Sequence, residues 1–197
     1  MNFEVHSLAI TTDPSQTREA VSALLHTILF HREFGRARPV DVECESLDLT
    51  YVRVDSEEVA ATVNEKVAQF AKMFETSGSS RSQLSLSFYE IQRKKTLFNF
   101  KDEPVNWEQW NVIVTQRPFL SEAERASYSS ALTSEIHRHV STIIFICNSK
   151  QDHIPVVKND TSVPFPFEII LPTVQESWGF DMIKRVVLDS KPGPLWT

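Results

Sequence analysis

The stretch LSEAERASYSSALTSEIHRHVSTIIFICN, residues Leu120 to Asn148, decides how the rest of the chain must be arranged. Ser121 followed three places later by Glu124 is a capping-box pattern. The serine oxygen takes one of the N–H groups a helix start leaves unpaired, and the glutamate reaches back toward another. Leu132, Ile136, Val140, Ile143 and Cys147 then recur at helical spacing, so a long helix is predicted from about Ala123 to Cys147 with one apolar stripe. At ~100° per residue, Ile144 falls about 80° from the centre of that stripe and Phe145 about 180° from it. A helix lying on a sheet needs only the stripe. The surplus at Ile144, Phe145 and Ile146 predicts that the last turns are covered on more than one side, by another part of the chain or by a second protein.

Working outward, WEQWNVIVTQ reads as a strand with Trp110, Val112 and Val114 on one face. LSLSFYEI reads as another, with Leu84, Leu86 and Phe88 facing together. Between them KKTLFNFKDEPVN reads as a loop from Lys94 to Asn106, and before them SGSSRS as a short link. Upstream, Asp55 and Glu58 open a helix whose stripe is Val59, Val63, Val67, Phe70 and Phe74, closed by Gly78 at the position that favours left-handed backbone. VECESLDLTYVRV changes phase at Glu45-Ser46, giving two short strands or one bulged strand. Asp13-Pro14 is read as the start of an earlier helix that buries Val21, Leu24, Leu25 and Ile28 and exits at Gly35. The first strand alternates through Phe3 and Val5, then in the other phase through Leu8 and Ile10, so a bulge or twist is expected near Ser7.

Beyond Asn148 the prolines at 155, 164, 166 and 172 exclude a long helix. PFEIIL is a short strand; Phe180, Ile183 and Val187 suit a last short helix or a strand, and KPGPLWT is a tail. The expectation is one mixed α/β (α+β) domain over residues 1–197, within the usual span of single domains.

A net charge of −6 argues against a protein that tracks nucleic-acid phosphates. The start MNFEVHSLAI lacks a cationic, apolar signal segment, and no run approaches the ~20 apolar residues that span a bilayer. A cytoplasmic protein is expected. Its four glycines form no phosphate-binding array. His26 and His31 are splayed on a helix, and His137 and His139 point to nearly opposite sides, so no metal site and no cofactor are expected. Cys44 and Cys147 stand alone, without CxxC spacing. The second lies on the core stripe, where burial would raise its pKa and hide it from substrates. The Asn159-Asp160-Thr161 sequon is read as chance in a chain without a secretory signal. Nothing in the sequence assembles a nucleophile, a base and an orienting group.

HTILFHR, TYVRVDSEE, LSLSFYE and NWEQWNV, in that order and spacing from about Leu24 to Pro155, together resemble the autophagy-related protein 101 family. The resemblance implies a HORMA fold: a mainly antiparallel sheet backed by three helices, the third one central, with a core over 1–148, a belt-like segment over 149–190 and a tail over 191–197. It implies a non-enzymatic adaptor of the autophagy initiation kinase complex, acting at the preautophagosomal structure on starvation. Its implied main partner is the HORMA domain of autophagy-related protein 13, held by the segment aligned with Ser141, Thr142, Ile143, Ile144 and Phe145. Animal members carry a Trp-Pro-Phe finger where this chain has Phe98-Asn99-Phe100. Leu97, Phe98 and Phe100 are therefore read as tucked onto the protein's own core, with a downstream contact as the alternative. Two other readings stay open: a checkpoint or polymerase-type HORMA module trapping a peptide, and a thiol-dependent conjugating enzyme.

Overall fold

A computed structural model describes residues 3–33, 38–95, 100–119, 121–156 and 166–172. The elements are β1 (Glu4–Thr12), α1 (Thr17–His31), β2 (Pro39–Glu43), β3 (Thr50–Val54), α2 (Glu57–Ser77), β4 (Arg81–Lys95), β5 (Phe100–Gln116), α3 (Glu122–Ser149) and β6 (Phe167–Ile170). The main sheet runs β1-β5-β4-β6; β1 lies parallel to β5, and the other neighbours are antiparallel. β2 and β3 form a separate antiparallel hairpin, which settles the open question at Glu45-Ser46 in favour of two strands. The fold is thus mixed α/β, with a mainly antiparallel sheet and three helices among the described residues, consistent with the HORMA type. Gly35, Pro164 and everything after Pro172, including Phe180, Ile183, Val187 and the tail, lie outside the described residues.

One face of the sheet carries the core. Leu8 and Ile10 from β1, Leu84, Leu86 and Phe88 from β4, Trp110, Val112 and Val114 from β5 and Ile169 from β6 are all buried. The other face holds a polar row: Ser85 Oγ donates to Asn111 Oδ1 at 2.7 Å, and Gln109 Nε2 donates to the same oxygen at 2.7 Å. The α2 stripe is buried at Val63, Val67, Phe70 and Phe74, with Val59 packed against the core. Gly78 ends that helix at φ 65°, as its position predicts.

Several expectations are corrected. The first strand has no phase break: its register with β5 is continuous from Glu4 to Thr12. Its buried set is His6, Leu8, Ile10 and Thr12, and Val5 faces outward. A histidine takes the core position that periodicity assigned to valine, its ring 4.4 Å from that of Trp110. Asp13 does not cap α1, which begins at Thr17. Its carboxylate accepts from Ser15 N and Oγ and so closes a turn one step earlier. The cap of α2 is Ser56, not Asp55; its side chain accepts from Val59 N at 3.3 Å.

The region from Lys94 to Asn106 is not simply a loop. β4 and β5 stay paired from Tyr89–Asn106 out to Lys95–Phe100, an arm of two strands beyond the reach of β6. None of the arm's described side chains is buried, and strands without a buried face need no apolar alternation, so periodicity misses them. Pro104 fits there because each strand of a two-stranded ribbon has a free edge. Arg81 and Ser82, read as part of a link, already belong to β4.

Finally, α1 rather than α3 is the helix enclosed by the fold. Every residue from Ala20 to Leu29 is buried, including Ser22, His26 and Thr27. α3 lies along α1 and the free edge of β1. Ser121 caps it through Glu124 N at 3.2 Å, as its pattern predicts.

Candidate functional site

The last turns of α3 divide sharply between inside and outside. Leu132, Ile136, Ile143 and Cys147 are buried, whereas Phe145 is 71% exposed, the most exposed large apolar side chain of the described helices. Ile144 is half-buried beside it, and Ser141 and Thr142 face solvent. Ser141, Ile144, Phe145, Asn148 and Ser149 line a shallow surface depression of about 520 Å³. Of the segment expected to bind a partner, Ile143 is thus a core residue that can act only by holding the helix. Among the described residues nothing covers the Phe145 ring. The hydroxyls are occupied by their own helix: Ser141 Oγ donates to His137 O, Thr142 Oγ1 to Arg138 O and Ser149 Oγ to Phe145 O. They add little polarity to the surface, which leaves the ring and the Ile144 side chain as its chemistry.

The helix end is held from below by a group the sequence did not disclose. Glu108 stands on the core face of β5, in phase with Trp110, and is fully buried. Arg32, the C-cap residue of α1, donates to it bidentately, Nε to Oε1 at 2.8 Å and Nη2 to Oε2 at 2.5 Å. Trp110 Nε1 donates to Oε1 at 2.5 Å, and His153 Nε2 lies 2.6 Å from Oε2. Arg32 Nη1 also donates to Cys147 O at 3.1 Å, and Nη2 reaches Lys150 O at 3.5 Å. Burial pushes the Glu108 carboxyl up, but the bonds and charge of Arg32, with Trp110 and His153, outweigh it and hold the group below the usual carboxylate range. It is therefore an anion inside the protein, and removing one partner of such a pair typically costs about 3–5 kcal/mol.

A bulge makes this possible. Phe88 pairs with Glu108 but Tyr89 with Asn106, so Trp107 is an extra residue and the neighbours Trp107 and Glu108 are both fully buried. The Trp107 ring lies between Phe88 and His153, with centroids 5.3 and 5.7 Å away. The parity of Trp110 carried two residues back lands on Glu108. That signal was present in the sequence, but a charged residue there reads as the wet end of a strand.

The residues considered for chemistry are not brought together. His26 stacks on Tyr51 with centroids 5.7 Å apart, His31 meets Phe30 edge-on, and His139 Nε2 donates to Ala9 O at 2.8 Å on the free edge of β1. Among the described residues no group of three or more His, Cys, Asp or Glu side chains could hold a metal ion. Burial pushes the Cys44 thiol up to about 11 and the Cys147 thiol up to about 12. Both are protonated at neutral pH and poor nucleophiles. No helix among the described residues is long and apolar enough to cross a membrane. Leu97 and Phe98 lie outside the described residues; Phe100 opens β5, and its side chain is likewise not described.

Fold and surface together define a mixed α/β protein whose distinctive feature is an apolar helix edge, braced from beneath by a buried ion pair. The chain belongs to the autophagy-related protein 101 family: residues 9–161 match the family model of that description. A relative of that name in Arabidopsis thaliana is 34% identical, covering 99% of this chain and 100% of its own. The Homo sapiens relative is 30% identical over 89% of this chain and 85% of its own, and the Schizosaccharomyces pombe relative 32% over 89% and 90%. With the family comes a role in autophagy.

Proposed function

We propose that this protein is a non-enzymatic adaptor of autophagy initiation that pairs with the HORMA domain of autophagy-related protein 13 through the end of α3. The observation that carries the reading is the exposure of Phe145, beside half-buried Ile144, on a helix whose other large aliphatic side chains, Leu132, Ile136, Val140, Ile143 and Ile146, lie in the core or pack against it. A ring left in water forgoes the free energy of its burial, and a partner surface restores it. Ser141, Thr142, Ile144 and Phe145 make the contact, and Ile143 holds the helix beneath them. The resemblance of the same segment to the family's partner-binding segment supports the assignment independently.

As an adaptor it also helps recruit downstream factors of the autophagy initiation kinase complex to the site of autophagosome assembly. The protein then works by assembly at the preautophagosomal structure. The test is reconstitution: the purified chain and the HORMA domain of autophagy-related protein 13 should form a one-to-one complex on size-exclusion chromatography with light scattering. Two separate peaks at micromolar concentration would remove the proposal.

A further inference from the structure

The end of α3 lacks the usual means of finishing a helix. It has no basic residue in its last turn, and its C-cap, Lys150, is extended at φ −112° and ψ 99° rather than left-handed. Its terminal carbonyls must find donors elsewhere, and the most distant in sequence is the guanidinium of Arg32, reaching Cys147 O and Lys150 O. A cation at this place also meets the negative end of the helix dipole. The guanidinium has no freedom to turn, because Glu108 grips it bidentately. His153 closes the carboxylate from the chain that leaves the helix, and its ring packs on Trp107.

We propose that the Arg32–Glu108–His153 cluster is a positioning device for the docking surface: it fixes the last turn of α3 and the connector after it, and thereby the presentation of Ile144 and Phe145. This rests on the reading of that surface as a docking site. Phe145 and Asn148 flank Cys147 on the same turn, so a shift of the carbonyl that Arg32 holds moves the residues a partner would touch. The cluster is buried, so water cannot replace a lost member, and a variant leaves its neighbours unpaired. A pair that served stability alone would be replaceable by apolar groups of similar shape. This one is aimed at a helix end.

Hydrogen exchange on the full chain decides the matter, comparing wild type with Glu108→Gln and His153→Phe. The second variant keeps a ring against Trp107 and so preserves the test if the first fails to fold. The amides of Lys150 and Ile154, bonded in the native chain to Ile146 O and Gln151 O, should exchange at least about tenfold faster, with α2 unchanged. Affinity for the partner should fall about five- to tenfold although Ile144 and Phe145 are intact. Unchanged exchange at the end of α3, or acceleration spread evenly over the molecule, would overturn the proposal. So would faster local exchange with unchanged affinity. A wild-type chain that binds no partner overturns the docking reading instead, and the exchange comparison then still decides whether the cluster holds the helix end.

Discussion

Replacing Ile144 and Phe145 together by aspartate should abolish partner binding and leave the protein folded. Fully burying a large apolar side chain is worth roughly 1.5–3 kcal/mol. Phe145 is 71% exposed, so its covering by a partner contributes about 1–2 kcal/mol. Ile144 is already half-buried and adds about 0.5–1 kcal/mol. Loss of contact alone would weaken binding by about one to two orders of magnitude. Two carboxylates forced into an apolar interface add a desolvation cost of several kcal/mol, carrying the total beyond a thousandfold. Folding should suffer little, because neither site is in the core. Negative charge near a helix C-terminus costs about 0.3–1 kcal/mol per residue. Ile136→Asp is the control: that side chain is fully buried, and a charge there should unfold the chain. The assay is isothermal titration calorimetry against the partner, with circular dichroism and thermal melts of each variant. Wild-type affinity in the double variant would refute the docking surface. A large drop in its melting temperature would show that this chain covers the patch itself.

Three further outcomes are expected. Gly78→Ala should cost about 1 kcal/mol and lower the melting temperature by roughly 2–4 °C, because φ is 65° and no atom lies within 4 Å of an added Cβ, leaving only the backbone cost; an unchanged melt would mean that the helix end relaxes freely. His26 is held down to about 4, first by burial and then by the charge of Arg53. Its folded pKa lies below the unfolded value, so its contribution is complete above about pH 6.5 and falls as the pH drops toward 4, by roughly 3 kcal/mol in all. Urea titrations should therefore give a flatter pH profile for His26→Phe across that window, and parallel profiles would contradict the assignment. Cys44 and Cys147, raised to about 11 and 12, should react with a soluble thiol probe at pH 8 much more slowly in the native than in the unfolded protein; rapid native labelling would revive a thiol-dependent enzyme.

Local signals carried much of this architecture. The stripes of α2 and α3, the serine cap of α3, the glycine at the end of α2 and the inward faces of β4 and β5 are each set by neighbours a few residues away, and each was legible in the sequence. So was the oddity of Phe145, because helical geometry fixes the angle between it and the core stripe. Tertiary structure decided the rest. That β1 runs parallel beside β5, that His6 displaces Val5 from the core and that α1 is enclosed on all sides depend on which elements meet across the chain. The arm of β4 and β5 escapes a pattern reading because none of its described side chains is buried. Glu108 is the sharpest case. Its partners Arg32 and His153 stand 76 and 45 residues away, and only their approach makes a buried carboxylate affordable, so no local pattern could distinguish it from a surface charge.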